Sequence, residues 1–158
     1  MKKQKICIIG GSLTGLVTAL SLSKLNCDID LIMGVAGQGT ESNQTIAISE
    51  DNLKFIKKFG IFTSIKSQLW PCSIMKLYKE IQDNKESEIF ELNNLKKKKK
   101  ILYMLVNSKI KKLMLNKIKK IKSISVKNNT KVSKINGTGL LKSIKFNKQN
   151  SKYNLIII

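Results

Sequence analysis

The chain has 158 residues, a length that suits one domain with a hydrophobic core and is short for two. Hydrophobic residues make up 42% of it, which argues against disorder, and no apolar run reaches the length of about 18 residues that a membrane-spanning helix needs. The formal net charge is +20, with 30 basic and 10 acidic residues.

All the basic residues are lysine, although arginine is the usual residue for bidentate phosphate recognition. The lysines accompany abundant isoleucine and asparagine, a composition that an AT-rich genome also produces. We therefore favour base composition as the origin of the charge. The alternative is a lysine-rich protein that binds nucleic acid or an anionic surface without catalysis.

The amino terminus is unlike a signal peptide, because its apolar run is too short and no cleavage site of small residues follows. Cys7, Cys27 and Cys72 are odd in number and lack metal-like spacing, so we expect reduced, mostly buried thiols and no metal site. These features predict a cytoplasmic protein.

The first predicted elements form a βαβ unit. The apolar run at residues 6–9 is typical of a parallel strand buried on both faces, and residues 29–33 form a second such run. Between them, residues 14–25 place Leu16, Leu20 and Leu25 in helical register. A tight glycine turn separates the first strand from this helix.

The middle of the chain begins with a predicted loop at residues 34–43. A helix follows at residues 49–59, with Ser49 as its N-cap and Gly60 at its end. Two strands are predicted at residues 73–78 and 88–92. The five consecutive lysines at residues 96–100 indicate a solvated loop.

The last part begins with an amphipathic helix predicted at residues 107–121. We expect it to pack on a sheet, although such a basic helix can also lie peripherally on an anionic membrane. Strands are predicted at residues 124–126, 131–136, 140–146 and 153–158, with residues 137–139 as a hairpin turn. The order of elements predicts an α/β, Rossmann-like nucleotide-binding domain with a β-hairpin or meander insertion.

The glycine turn has the spacing of a dinucleotide-binding motif, G-x-G-x-x-G, with serine in the second glycine position. The helix that follows presents free N–H groups to an anion. We therefore predict that the turn binds the phosphates of a nucleotide, through Gly10, Gly11, Ser12, Leu13, Thr14 and Gly15.

A nucleotide site of this type also uses an acidic residue at the end of the second strand, which binds the ribose hydroxyls. Met33 occupies that position. Asp28 and Asp30 come too early in the strand, and Glu41 falls in the loop. The missing charge-assisted hydrogen bonds correspond to about ten- to a hundredfold in affinity.

The sequence resembles the flavin-dependent aromatic-ring monooxygenases of ubiquinone biosynthesis. The similarity is carried by KICIIGGSLTGLVTALSLSKL, NQTIAISEDNLKFIKKFGIF, WPCSIMKLY, YMLVNSKIKKLML and the strands that lead to YNLIII. A family motif of the form D-x-R-x-x-A-L-S aligns with residues 42–49, where Ser42 replaces the acid and Gln44 the arginine.

The resemblance implies that the glycine turn faces the pyrophosphate of FAD. It places Met33 where a glutamate holds the adenosine ribose, and Gln44 where an arginine reaches towards the cofactor. Val106 stands where the family has glutamate before asparagine. Three polar positions thus differ, while the hydrophobic frame is retained.

The resemblance also implies a function. The family hydroxylates aromatic rings, here those of quinone precursors, with an FAD that NAD(P)H reduces. The family's A-D-G motif, its substrate sheet and its second flavin motif would follow YNLIII, so residues 1–158 correspond to a truncated FAD-binding domain without the substrate-binding and carboxy-terminal parts. No histidine or recognisable acid–base pair is present, and we assign no catalytic residue.

Overall fold

We describe a computed structural model of the chain, in residues 3–34, 44–81, 85–93, 100–137, 139–146 and 149–158. The chain divides into two compact units. Unit 1 contains residues 1–42 and 111–158, and unit 2 contains residues 43–110. No helix in the described ranges is both long and apolar enough to cross a membrane.

The elements of unit 1 are β1 (Gln4–Ile9), α1 (Leu13–Leu22), β2 (Cys27–Ile32), β8 (Ile124–Lys127), β9 (Val132–Asn136), β10 (Lys142–Phe146), β11 (Gln149–Tyr153) and β12 (Leu155–Ile157). Four of the strands form a parallel sheet with the order β12-β1-β2-β8. A three-stranded antiparallel meander, in the order β11-β10-β9, lies between β8 and β12 in sequence.

The predicted βαβ unit is present, because β1 and β2 pair in parallel along their full length. Each strand buries apolar residues on both of its faces, as expected for strands covered by other layers. Ile6, Cys7 and Ile8 of β1 are buried, and so are Ile29, Leu31 and Ile32 of β2. The α/β fold class predicted from the sequence is confirmed.

Helix α1 is shorter than predicted. It begins after Ser12 and ends at Leu22, so Leu25 lies beyond the helix with 62% of its surface exposed. Leu16 and Leu20 are buried as expected, together with Ala19. The helix ends before Leu25 because the chain must turn there to enter β2 at Cys27.

The meander packs on the side of the sheet that carries Cys7 and Ile32. These two residues form one hydrophobic cluster with Ile144, Phe146 and Tyr153, all nearly inaccessible to solvent. The connection to β12 is also fixed, since Asn154 exchanges hydrogen bonds with the backbone N–H and C=O of Lys5, each at 2.8 Å.

The elements of unit 2 are β3 (Thr45–Ser49), α2 (Glu50–Lys57), α3 (Phe62–Ile65), a 3-10 turn (Lys66–Gln68), β4 (Trp70–Cys72), β5 (Ile74–Ile81), β6 (Lys85–Asn93) and β7 (Leu102–Val106). They include an antiparallel sheet with the order β3-β7-β4 and a separate hairpin, β5-β6. Ser49 caps α2 as predicted, accepting a hydrogen bond from the N–H of Asn52 at 3.2 Å.

Helix α4 (Asn107–Ile118) begins within the residues of unit 2 and ends within those of unit 1. It stops three residues before the predicted end. Ile110, Met114 and Ile118, which share one helix face, are fully buried. This burial favours the predicted packing role over a membrane-surface role for the apolar face.

Several other elements differ from the sequence prediction. Strands β3, β4, β7 and β11 and helix α3 were not predicted. Leu140, which was placed in a strand, lies outside β10 and is 97% exposed. β9 and β10 do form the predicted antiparallel pair. The loop at residues 35–43, the lysines at residues 96–99 and Thr138 of the hairpin turn lie outside the described residues.

Candidate functional site

The glycine turn connects the carboxyl end of β1 to α1. Gly10 has φ of +137°, a backbone conformation that glycine adopts readily and other residues rarely. Its N–H donates to the carbonyl of Ile32 at 2.9 Å, which fixes the turn against the end of β2. The first glycine of the motif therefore has the tight-turn role that the sequence predicts.

Gly15 allows helix α1 to approach the turn closely. A Cβ atom at this position would overlap the carbonyl oxygen of Gly10 and would also contact the side chain of Ile8. Backbone atoms cannot move aside as a flexible side chain can. The third glycine of the motif is thus required by packing between the helix and the strand.

Ser12 is the N-cap of α1. Its extended backbone, with φ of −70° and ψ of 168°, lets its hydroxyl oxygen accept a hydrogen bond from the N–H of Gly15 at 3.4 Å. Its carbonyl accepts from the N–H of Leu16 at 3.1 Å. The N–H groups of Leu13 and Thr14, in the first turn, have no partner within the helix and are available to an anion.

Met33 follows directly after β2 and lies over the turn. Its backbone is fixed on both sides, since its N–H donates to Lys127 at 2.8 Å and its carbonyl accepts from Thr130 at 3.0 Å. A Cβ atom added to Gly11 would lie 2.8 Å from Cε of Met33 and 3.2 Å from its Cγ. The methionine side chain therefore contacts the second residue of the turn.

The acidic residues near the turn in sequence form hydrogen bonds or ion pairs with other side chains. Asp30 accepts a hydrogen bond from the Tyr153 hydroxyl at 2.7 Å and lies 3.6 Å from Nζ of Lys5. Asp28 pairs with Lys3 at 3.3 Å on the surface. The described part of unit 1 contains no acidic residue besides Asp28 and Asp30, and Glu41 lies outside the described residues.

Gln44 belongs to unit 2, whereas the glycine turn belongs to unit 1. Its carbonyl accepts a hydrogen bond from the N–H of Asn107 at 2.9 Å, and its neighbour Thr45 pairs with Val106. The predicted positions Gln44 and Val106 therefore lie together at the start of α4. Sequence reasoning did not single out Asn107, whose Oδ1 is buried without a hydrogen-bond partner.

The three cysteines are free thiols, and Cys7 and Cys27 are buried as predicted. Burial, and secondly the Asp30 carboxylate, raise the pKa of Cys7 from 9.0 to about 12. A thiol with such a pKa is a poor nucleophile at neutral pH. Within the described ranges, no three His, Cys, Asp or Glu residues come together as a metal site would require.

No family model matches the sequence, and no curated protein matches it significantly. The structure is similar to solved structures. It matches the p-nitrophenol 4-monooxygenase PnpA from Pseudomonas putida DLL-E4 with a TM-score of 0.69 at 17% identity, covering 98% of this chain and 39% of that one.

Two further matches have higher TM-scores and lower identity. The flavin-dependent monooxygenase PieE, solved with FAD and substrate, gives a TM-score of 0.74 at 10% identity, covering 98% of this chain and 30% of that one. The Diels-Alderase PyrE3 of pyrroindomycin biosynthesis gives 0.74 at 12%, with 98% and 32% covered.

The chain therefore spans about a third of the length of these structures. At this level of identity the similarity concerns the fold, and the matched proteins include a Diels-Alderase as well as monooxygenases. Residues 1–158 have the α/β fold found in the corresponding part of flavin-dependent monooxygenases.

Proposed function

We propose that this chain is the FAD-binding portion of a flavin-dependent aromatic-ring monooxygenase, similar to those of ubiquinone biosynthesis. The observation that carries the proposal is the glycine turn at the β1–α1 junction of a fold that matches flavin-dependent monooxygenases over 98% of the chain. In this proposal, residues 1–158 are a partial FAD-binding domain, and the substrate-binding part of the family lies outside these residues.

The geometry of the turn suits a diphosphate. Gly10 and Gly15 allow the backbone to turn tightly and the helix to lie close to it, as described above. The N–H groups of Leu13 and Thr14 and the positive end of the α1 dipole favour an anion at this point. Ser12 leaves its hydroxyl proton free to donate to a phosphate oxygen while its lone pair caps Gly15.

A bound flavin would supply the redox and oxygen-transfer chemistry, with NAD(P)H as the reductant and an aromatic quinone precursor as the substrate of the complete protein. In this proposal, the residues of this chain bind the flavin cofactor and orient it. Ser12, Leu13 and Thr14 would hold the phosphates through N–H and O–H donors, while Ile8, Leu16 and Leu20 support the turn from the core. By the resemblance, we also propose Gln44 as a cofactor-binding residue.

The proposal is tested by titrating FAD with purified full-length chain and following the quenching of flavin fluorescence. Saturable quenching with a 1:1 endpoint is expected. The titration is run in about 0.2 M salt, because generic attraction of anions by the lysines weakens steeply with ionic strength. Failure to quench at any protein concentration would contradict the proposed function.

A matched pair of variants locates the binding in the turn. Ser12→Asp keeps a strong N-cap and so preserves α1, but it places a carboxylate where the phosphates would lie. We expect it to weaken FAD binding at least tenfold. Ser12→Asn is the control, because asparagine also caps well and carries no charge, and its affinity should stay within about threefold of the original.

A further inference from the structure

We propose that Met33 makes the candidate site a receptor for the diphosphate of a nucleotide without recognition of the ribose diol. The inference rests on the proposed function, since it concerns the ligand that the glycine turn would hold. It assigns to this chain a nucleotide preference that depends on the phosphates and disregards the hydroxyl groups of the adenosine sugar.

The first step is the position of Met33. Three backbone hydrogen bonds hold this end of β2 in place: the N–H of Gly10 donates to Ile32, the N–H of Met33 to Lys127, and the N–H of Thr130 to Met33. The residue after the strand is therefore fixed beside the turn, where a dinucleotide-binding unit has its ribose anchor.

The second step is the chemistry of the side chain. A thioether is at best a weak hydrogen-bond acceptor, so it cannot replace a carboxylate that binds two hydroxyl groups. Met33 instead lies on Gly11, with its Cε 2.8 Å from where a Cβ of that residue would be. The surface offered to the sugar at this position is apolar.

The third step is that the described part of unit 1 holds no substitute acid. Asp30 is engaged by Tyr153 and Lys5, and Asp28 by Lys3. Both carboxylates are thus paired, and the described part of unit 1 contains no other acidic residue. The nearby Thr130 hydroxyl donates to the carbonyl of Asn128 at 2.9 Å within its own loop.

The test compares ADP with 2′-deoxy-ADP by isothermal titration calorimetry on the full chain. The two ligands carry the same charge, so the lysine-rich surface attracts them equally and the ratio of their affinities reports the sugar hydroxyl alone. We expect affinities within about twofold of each other. A preference of tenfold or more for ADP would overturn the inference and leave the proposed function standing.

The substitution Met33→Glu should restore recognition of the ribose hydroxyl groups. Installing the missing carboxylate should give a preference for ADP over 2′-deoxy-ADP of about ten- to a hundredfold, the value of a charge-assisted hydrogen-bond pair. Met33→Leu, which keeps the side chain apolar, is the control and should leave the ratio near one. An unchanged ratio in Met33→Glu also overturns the inference, and binding of neither ligand to any of the three chains overturns the proposed function with it.

Discussion

At the scale of single residues, a side-chain hydrogen bond joins Tyr153 of the meander to Asp30 of the parallel sheet. The tyrosine is fully buried at the end of β11, and its hydroxyl donates to the carboxylate at 2.7 Å across 123 residues of sequence. Burial, followed by the hydrogen bond to Asp30, raises the pKa of Tyr153 above its usual range. The phenol therefore stays protonated, and remains a donor, at physiological pH.

Tyr153→Phe removes this donor and leaves the ring in the hydrophobic cluster. Asp30, which is 13% exposed, then retains the Lys5 ammonium at 3.6 Å as its partner. We expect the free energy of unfolding to fall by about 1–3 kcal/mol, the cost of leaving a buried carboxylate under-satisfied. Urea denaturation followed by circular dichroism measures the change.

The control for this substitution is Tyr78→Phe. Tyr78 is 47% exposed in β5, so loss of its hydroxyl should change the free energy of unfolding by less than about 0.5 kcal/mol. Equal effects of the two substitutions would show that the Tyr153 hydroxyl does not hold the meander to the sheet.

At the scale of elements, the junction of β1 and α1 depends on Gly15. Gly15→Ala would improve the helix propensity of α1 by about 1 kcal/mol if the position were free. The added Cβ instead overlaps the carbonyl oxygen of Gly10, which is held by the hydrogen bond from Gly10 N–H to β2. We expect a net loss of about 1–3 kcal/mol in the free energy of unfolding, measured by urea denaturation.

Gly137→Ala is the matched control for Gly15→Ala. A Cβ at Gly137 would meet no atom within 4 Å, and this glycine does not have a positive φ. Its substitution should be neutral within about 0.5 kcal/mol. A neutral Gly15→Ala would mean that α1 can move away from the strand, contrary to the packing described.

The same elements show what sequence can and cannot predict. The apolar runs of β1 and β2 and the N-cap Ser49 could be identified from the sequence. The length of an apolar run and the chemistry of a helix cap depend only on residues close together in the sequence. Strand β11, with the sequence QNSKY, carries no apolar alternation and pairs because β10 is beside it. Leu25 kept helical register in sequence, but the entry of the chain into β2 ended the helix earlier.

The candidate site divides in the same way. The glycines and Ser12 were found from their spacing, since each has a role in the local turn. The contact of Met33 with Gly11 and the engagement of Asp30 by Tyr153 could not be found, because they join residues from separate strands. Side-chain contacts of this kind depend on the register of the sheet and on the meander that packs against it.

At the scale of the whole molecule, charge is distributed unevenly along the sequence. Residues 92–158 contain 19 of the 30 lysines and no acidic residue, while the 20 residues of the β5–β6 segment, 74–93, contain five of the 10 acids. Such an excess attracts polyanions through counterion release whether or not a specific site exists. The alternative function, binding to nucleic acid or an anionic surface, therefore requires a test of specificity.

We expect the chain to bind duplex DNA weakly and without sequence preference. Fluorescence anisotropy with two unrelated duplexes of equal length should give equal affinities in 50 mM salt and at least a tenfold loss by 200 mM, because phosphate contacts made by lysine alone carry no sequence information. The sequence contains no arginine, the residue that most often recognises bases through paired hydrogen bonds. A preference of tenfold or more for one duplex that persists at 200 mM salt would favour the nucleic-acid function over the flavin-binding one.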